Sequence, residues 1–322
     1  MSPLRASRVL VVGGLGFMGS NLSRRLVAEG VTVTVLTPSR ERHAEDAREF
    51  DRLGIAVCEG DVRRREDVAA VVEDQDTIFN LAGQSGAVSS MEDPWTDLDV
   101  NCGGALSLLE AVRVVNPRAR LVFTGSRLEY GRVGSEPVGE EHATDPLCLY
   151  AIHKLTVEQY LKLYRQLFGI RYVIARVTNP YGPGQPRSRT AYGVVNRLIH
   201  LALSGEVLPI YGDGSQRRDY IYIDDAVGAL CALAAAPGVE GIYNVGSGVG
   251  TPLVDMAKAI TRIAGSGRIE FIDWPPLAEK VETGDFVADI TRIRGDIGWS
   301  PAVSLDEGLR RTVSHYRKHV SS

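Results

Sequence analysis

The valine-rich run Arg8-Val9-Leu10-Val11-Val12 passes without a spacer into Gly13-Gly14-Leu15-Gly16-Phe17-Met18-Gly19. Branched apolar residues suit a strand buried on both faces. The glycines that follow allow positive φ and close approach of other backbone. From there to about Ala28 the apolar spacing reads as a helix. A strand that turns through glycines into a helix N-terminus is the context a phosphate-cradling loop requires, because the helix end attracts pyrophosphate. The spacing Gly13, Gly16, Gly19 is one residue longer than the GxGxxG form, with Phe17 and Met18 inside it. A dinucleotide site is expected; a tight β–α turn without a ligand is the alternative.

The pattern then repeats. Val31 to Leu36, Ile55 to Glu59, Thr77 to Leu81, Arg120 to Thr124 and Arg171 to Val177 read as strands. Helices are expected between them, a long one over Asp97 to Val115 and another from Tyr150 to about Phe168. Such alternation implies an α/β fold, a Rossmann-type doubly wound parallel sheet covered on both faces. Beyond Asn179 come proline-rich loops, a helix near Gly193 to Leu203, and a strand at Tyr220 to Ile223 with Asp224-Asp225 as a helix N-cap. The expected division is a dinucleotide-binding domain over 1–180, rejoined by about 219–245, and a smaller C-terminal α/β substrate-binding lobe within 181–322. Substrate is expected in the crevice at the C-terminal ends of the strands.

With 322 residues, 44% hydrophobic and 24% charged, the chain is long enough for such a pair of lobes. A net charge of −4 offers no basic footprint for nucleic acid. The run Arg63-Arg64-Arg65 sits beside acids and reads as a solvated helix start. Cys58, Cys102, Cys148 and Cys231 are far apart and form no CxxC, so neither a metal site nor a disulfide framework is expected and a reducing cytoplasm fits. The first apolar run is too short for a signal-peptide core, and no stretch approaches a membrane span.

An acidic residue at the end of the second strand would hold an adenosine ribose 2′-OH. Val35-Leu36-Thr37-Pro38-Ser39-Arg40 contains none. Thr37, Ser39 and Arg40 could instead receive a 2′-phosphate, which favours NADP over NAD; the alternative is that Arg40 only begins the charged run Arg40-Glu41-Arg42. Asp61-Val62, after the third strand, is placed to meet an adenine, or is a plain turn. In Tyr150-Ala-Ile-His-Lys154 a phenol and an ammonium share a helix face. A tyrosine titrating near ~10 needs a drop of roughly three units, about 4 kcal/mol, to act as a base near neutrality. An adjacent cation supplies part of that shift.

These motifs, with Gly60-Asp61-Val62, Asn80-Leu81-Ala82-Gly83, Asn101, Ser126 with Tyr130-Gly131, Asn179 to Gly184 and Tyr211 to Tyr220, carry a resemblance over nearly the whole chain. The sequence resembles the extended short-chain dehydrogenases/reductases of the NAD(P)-dependent nucleotide-sugar epimerase/dehydratase family. The resemblance implies that Tyr150 is the acid/base on a sugar oxygen, that Lys154 binds the nicotinamide ribose and lowers the tyrosine pKa, and that Ser126 bonds the same oxygen. It puts Leu81, Ala82 and Gly83 along the cofactor pyrophosphate and Asn101 near the cofactor, or in a structural hydrogen bond. Asn179 and Arg218 would contact the nucleoside diphosphate; a turn role for Asn179, and a salt bridge from Arg218 to Asp219 or Asp213, are the alternatives.

The departures are informative. The related 4,6-dehydratases carry Asp-Glu directly after the hydroxyl residue, where this chain has Arg127-Leu128, so dehydration is disfavoured. Glu129, one position along a strand, should face away. The family's C-terminal arginine has no clear counterpart near Lys280. Pro186 to Thr190 reads as a phosphate or sugar-acid loop, or as a surface loop. The resemblance implies a nucleoside-diphosphate-sugar epimerase working at C4 through a 4-keto intermediate. The alternatives are an NADPH-dependent 4-ketoreductase and a non-catalytic cofactor-binding module. It further implies a homodimer built on the Asp97–Val115 and Tyr150–Phe168 helices, whose apolar faces must also cover the protein's own sheet.

Overall fold

The structure, a computed structural model, describes residue 4, residues 6–185 and residues 193–320. In chain order the first half comprises β1 (Arg8–Val12), α1 (Phe17–Ala28), β2 (Thr32–Thr37), α2 (Ala44–Leu53), β3 (Ala56–Glu59), α3 (Arg65–Val72) and β4 (Thr77–Asn80). Then come α4 (Ala87–Glu92), α5 (Pro94–Leu98), α6 (Gly104–Val115), β5 (Arg120–Ser126), α7 (Leu149–Phe168) and β6 (Arg171–Val177). The remainder comprises β7 (Asn179–Tyr181), α8 (Val194–Leu203), β8 (Val207–Tyr211), β9 (Arg217–Tyr222), α9 (Ile223–Ala235), β10 (Gly241–Val245) and β11 (Gly250–Pro252). It closes with α10 (Leu253–Ala264), β12 (Arg268–Ile272), α11 (Pro276–Lys280), α12 (Thr291–Ile297) and α13 (Leu305–Val320).

Seven strands form one parallel sheet in the order β10-β6-β5-β4-β1-β2-β3. Successive side chains point to opposite faces of a strand. Val9 and Val11 therefore join one core with Leu22, Leu26 and the α9 residues, while Leu10 and Val12 join another with Leu108, Val112, Val157 and Leu161. Both faces are thus covered, which is why the strands read as apolar runs without alternation. The strand order reverses between β1 and β4, which puts the C-terminal ends of those two strands at the switch point where open α/β sheets bind their ligands. β10 reaches this sheet from far along the chain. The C-terminal residues supply a three-stranded sheet, β11-β9-β7, and the pair β12-β8, with α8, α10 and α13 packed together.

Two details differ from the sequence expectations. The helix over Asp97–Val115 is not uniform: a π-helical turn over Asp99–Gly103 separates α5 from α6. Asp224 and Asp225 do not cap α9, whose first residue is already Ile223. The strand ends one residue earlier than expected, and Asp225 instead accepts the backbone N–H of Val303 at 2.9 Å. None of the described helices is long and apolar enough to cross a membrane.

Candidate active site

The glycine loop holds its shape through backbone alone. Gly13 has φ +80°, and a Cβ there would sit 2.8 Å from the backbone nitrogen of Ala82. A Cβ at Gly19 would collide with the Gly13 carbonyl. The loop after β1 is thereby pressed against the loop after β4. The N-terminus of α1 has no side-chain cap and no acidic residue in its first turn. Its amide groups stay available to an anion, so the cradle fits a dinucleotide pyrophosphate.

A cavity of about 360 Å³ runs from this loop to the end of β5. Gly13, Gly16, Phe17, Met18, Gly19, Leu81 and Gly83 line one part of it; Ser126, Arg127, Tyr150, Lys154 and Asn179 line the other. Ala82 supports the loop from behind. Ser126 ends β5, and its Oγ accepts the backbone N–H of Leu128 at 3.2 Å, which turns the chain into a 3-10 turn over Arg127–Tyr130. α7 starts at Leu149, so Tyr150 and Lys154 project from its first turns toward Ser126. Lys154 is 5% exposed. Its Nζ donates to Thr124 O at 3.0 Å and lies 5.8 Å from the centre of the Tyr150 ring. Beneath this face His153 Nδ1 lies 2.6 Å from Asp97 Oδ1, tying α7 to α5.

The electrostatics run against the simplest expectation. Burial, and then the nearby Glu129 charge, raise the Tyr150 phenol well above its ordinary value, while its hydrogen bond with Ser126 acts in the opposite sense. The residue as a whole is only half-buried, but its hydroxyl end is enclosed. Burial lowers Lys154 to about 8. Lys154 is directed at a carbonyl and is not among the leading influences on the Tyr150 phenol.

Glu129 lies on the 3-10 turn rather than on the strand. It does face away from the cavity: its Oε1 accepts the Ser126 N–H at 2.6 Å, and its other oxygen meets Arg176 at 3.1 Å. Arg176 also forms a two-pronged pair with Glu158, at 2.9 and 2.7 Å. All three side chains are buried. Burial and the Glu158 charge push Glu129 well above the carboxylate range.

Several expected site residues lie elsewhere. Thr37 is buried, and Ser39 Oγ accepts the Arg42 N–H at 3.3 Å. Arg40 is not free: its guanidinium donates to both oxygens of Asp51, at 2.9 and 2.7 Å, and to Val57 O. Asp61 accepts the Arg63 N–H at 2.9 Å, and Val62 packs under Gly104. Neither lines the cavity. Asn101 donates to Gln84 O at 3.0 Å from the π-helical turn, and its Oδ1 faces Gly83 with no hydrogen-bond partner. Arg218 pairs with Glu282 and with the carbonyls of Arg217 and Gly284, not with Asp219 or Asp213. Asp219 is occupied by the N–H groups of Ser247, Gly248 and Ala288. Asn179 donates to Asp219 O at 2.8 Å. Lys280 is exposed, and Pro186 to Thr190 lie outside the described residues. His43, the Gln84–Gly86 loop, Thr178 and Gln185 also line the cavity and carry no motif that would have singled them out.

Residues 9–246 match the NAD dependent epimerase/dehydratase family. The chain is 32% identical over 314 residues to a UDP-glucose 4-epimerase of Mycolicibacterium smegmatis, covering 96% of this chain and 98% of that protein. It is similar to the crystal structure of Thermus thermophilus UDP-glucose 4-epimerase in complex with NAD, with TM-score 0.85, 33% identity, and 96% and 99% of the two chains covered. It is also similar to UDP-glucuronic acid 4-epimerase from Bacillus cereus in complex with UDP-glucuronic acid and NAD, with TM-score 0.86, 25% identity, and 97% and 99% covered.

Proposed function

Because this chain belongs to the NAD-dependent epimerase/dehydratase family and is an NAD-dependent enzyme of that kind, we propose that it epimerises a nucleoside-diphosphate sugar at C4. The observation that carries this reading is the convergence of Ser126, Tyr150 and Lys154 on one cavity that is continuous with the glycine loop. NAD, when bound, would supply the hydride acceptor and donor for C4. Tyr150 exchanges the proton at O4, and Ser126 bonds the same oxygen, so the pair is set before reaction. Lys154, held to Thr124 O beside Gly83, stands ready for the ribose hydroxyls. The helix N-terminus and Gly13, Gly16 and Gly19 cradle the pyrophosphate, with Phe17, Met18, Leu81, Ala82 and Gly83 around it.

The reading takes NAD in preference to NADP. The case for NADP rested on the missing carboxylate at the end of β2 and on Thr37, Ser39 and Arg40 as phosphate ligands; the first part stands, while the second is weakened because Thr37 is buried and Arg40 pairs with Asp51. The ketoreductase alternative keeps the missing carboxylate in its favour and loses only the free Arg40. Asn179 and Arg218 remain proposed contacts for the nucleoside diphosphate, Arg218 after exchange of its Glu282 pairing for phosphate. A homodimer is proposed as well. Leu106 and Val114 of α6 and Ile152, Leu163 and Leu167 of α7 leave an apolar outer face exposed on two adjacent helices. Sedimentation of the protein as a monomer at micromolar concentration would remove this part.

A screen of UDP-, dTDP-, GDP- and CDP-sugars tests the activity. The expected outcome is a C4 epimer formed without added cofactor and without net change in nicotinamide absorbance. Stoichiometric NADPH oxidation with a 4-keto-6-deoxy sugar nucleotide would establish the reductase instead.

A further inference from the structure

Behind the end of β5 two carboxyls, Glu129 and Glu158, meet one guanidinium, Arg176. The arginine is 3% exposed and both carboxyl residues 0%. A Cβ on Gly125 would lie 2.9 Å from Glu129 Oε1 and 3.2 Å from Glu158 Oε1, so the two carboxyls converge on one spot. With both ionised, the set would carry a net negative charge out of reach of water, which is costly. Two carboxylates that share one site relieve that cost when one of them keeps its proton. Arg176 grips Glu158 with two nitrogens and reaches Glu129 with one. The proton therefore belongs to Glu129, whose carboxyl is pushed up by burial and by the Glu158 charge.

The same carboxyl is one hydrogen bond from the reacting end of the cavity. Glu129 Oε1 accepts the Ser126 N–H at 2.6 Å, and Ser126 Oγ accepts the Leu128 N–H, so the acid closes the cap that holds Ser126 at the end of β5. The titratable groups around Glu129 are Arg176 from β6, Glu158, Tyr150 and Lys154 from α7, and Tyr130 from its own turn. Of the two cations, Arg176 is held by Glu158 and Lys154 donates to Thr124 O. A negative charge on Glu129 acts against a phenolate on Tyr150 and favours the Lys154 ammonium.

We infer that Glu129 is a positioning residue for the C4 centre: protonated, it fixes Ser126 and lets Tyr150 give up its proton, and its ionisation on the alkaline side slows the reaction. This rests on reading Tyr150 as the group that moves the O4 proton. Glu129 touches neither sugar nor cofactor; it acts through Ser126 by a hydrogen bond and on Tyr150 by charge.

Glu129→Gln keeps the shape of the protonated acid: its Oε1 can accept from Ser126 and its amide can donate to Glu158, but it cannot ionise. NMR of the NAD-loaded protein with 13C-labelled tyrosine follows the Tyr150 phenol, assigned by its loss in Tyr150→Phe. The phenol should titrate about one pH unit lower in Glu129→Gln than in wild type. The alkaline fall in kcat should move up by a similar amount. A fall caused by proton loss from Lys154 would instead move down once the Glu129 charge is gone. Glu129→Val cannot accept from Ser126 and should lose about 10- to 100-fold in kcat with KM within a few-fold of wild type, and Glu129→Gln should recover part of that loss. A Tyr150 titration that stays or rises, an alkaline fall that stays or moves down, or equal losses of kcat in the two variants would overturn the inference. Should Glu129→Val not fold, the Glu129→Gln titration alone decides. That titration needs no turnover, so the inference and the epimerase reading fail separately.

Discussion

Lys154 Nζ donates to the backbone carbonyl of Thr124 at 3.0 Å, and among the described residues no carboxylate forms a salt bridge with it. The ammonium is buried and its pKa is lowered to about 8. A lysine titrating lower in the folded than in the unfolded chain is a liability without its ligand. The penalty is complete below the folded pKa and fades as pH rises from there toward ~10.4, because the unfolded chain binds more protons in that window.

Lys154→Met should therefore stabilise the cofactor-free protein by about 1–3 kcal/mol at neutral pH while abolishing turnover. The gain should shrink by about pH 9.5. Urea denaturation at both pH values checks this; destabilisation at neutral pH would show that the Thr124 bond outweighs the buried charge.

Tyr150→Phe removes the group proposed to move the O4 proton and little else. Turnover should fall by about 10²–10⁴, with nucleotide-sugar affinity within a few-fold of wild type. Ser126→Ala should cost less in rate, but should also lose about 1 kcal/mol of stability, because Ser126 Oγ caps the turn that positions Arg127. Steady-state kinetics with calorimetric binding separate the two effects; undiminished turnover in Tyr150→Phe would remove the tyrosine from the mechanism.

Much of this arrangement was legible in the sequence, because it rests on local signals. Valine runs, glycine spacing and an i, i+4 pair each declare one element, and β1, α1, β6 and α7 lie where those signals put them. What escaped reading depends on partners far along the chain. Arg40 is neutralised by Asp51 from the next helix, and Arg218 meets Glu282 from beyond α11. Glu129 was read as part of a strand, but Ser126 ends that strand and the turn carries the carboxylate inward to Arg176. The π-helical turn at Asp99–Gly103 left no trace, since the apolar spacing on either side still fits a helix.

The buried set Glu129, Arg176 and Glu158 should be sensitive to the loss of one member. Glu158→Ala leaves Arg176 with Glu129 alone and should cost about 3–5 kcal/mol, read from the urea midpoint at constant slope. A change within about 0.5 kcal/mol would mean that water or relaxation replaces the lost carboxylate.

Arg40 provides the contrast. Its pair with Asp51 is partly exposed, so Arg40→Ala should change stability by no more than about 1 kcal/mol. The ratio of NAD to NADP affinity should stay within about twofold of wild type, since a guanidinium already paired supplies no specific anion site. A large selective loss of NADP binding would restore Arg40 as a 2′-phosphate ligand.

The central claim is that hydride leaves C4 and returns to C4 on the same enzyme. Incubating the NAD-loaded protein with a nucleoside-diphosphate sugar deuterated at C4, and reading the product by NMR, tests it most directly. The account predicts the C4 epimer with deuterium retained at C4 and no cofactor consumed. Deuterium lost to solvent, or a product whose C4 configuration never changes, would contradict it.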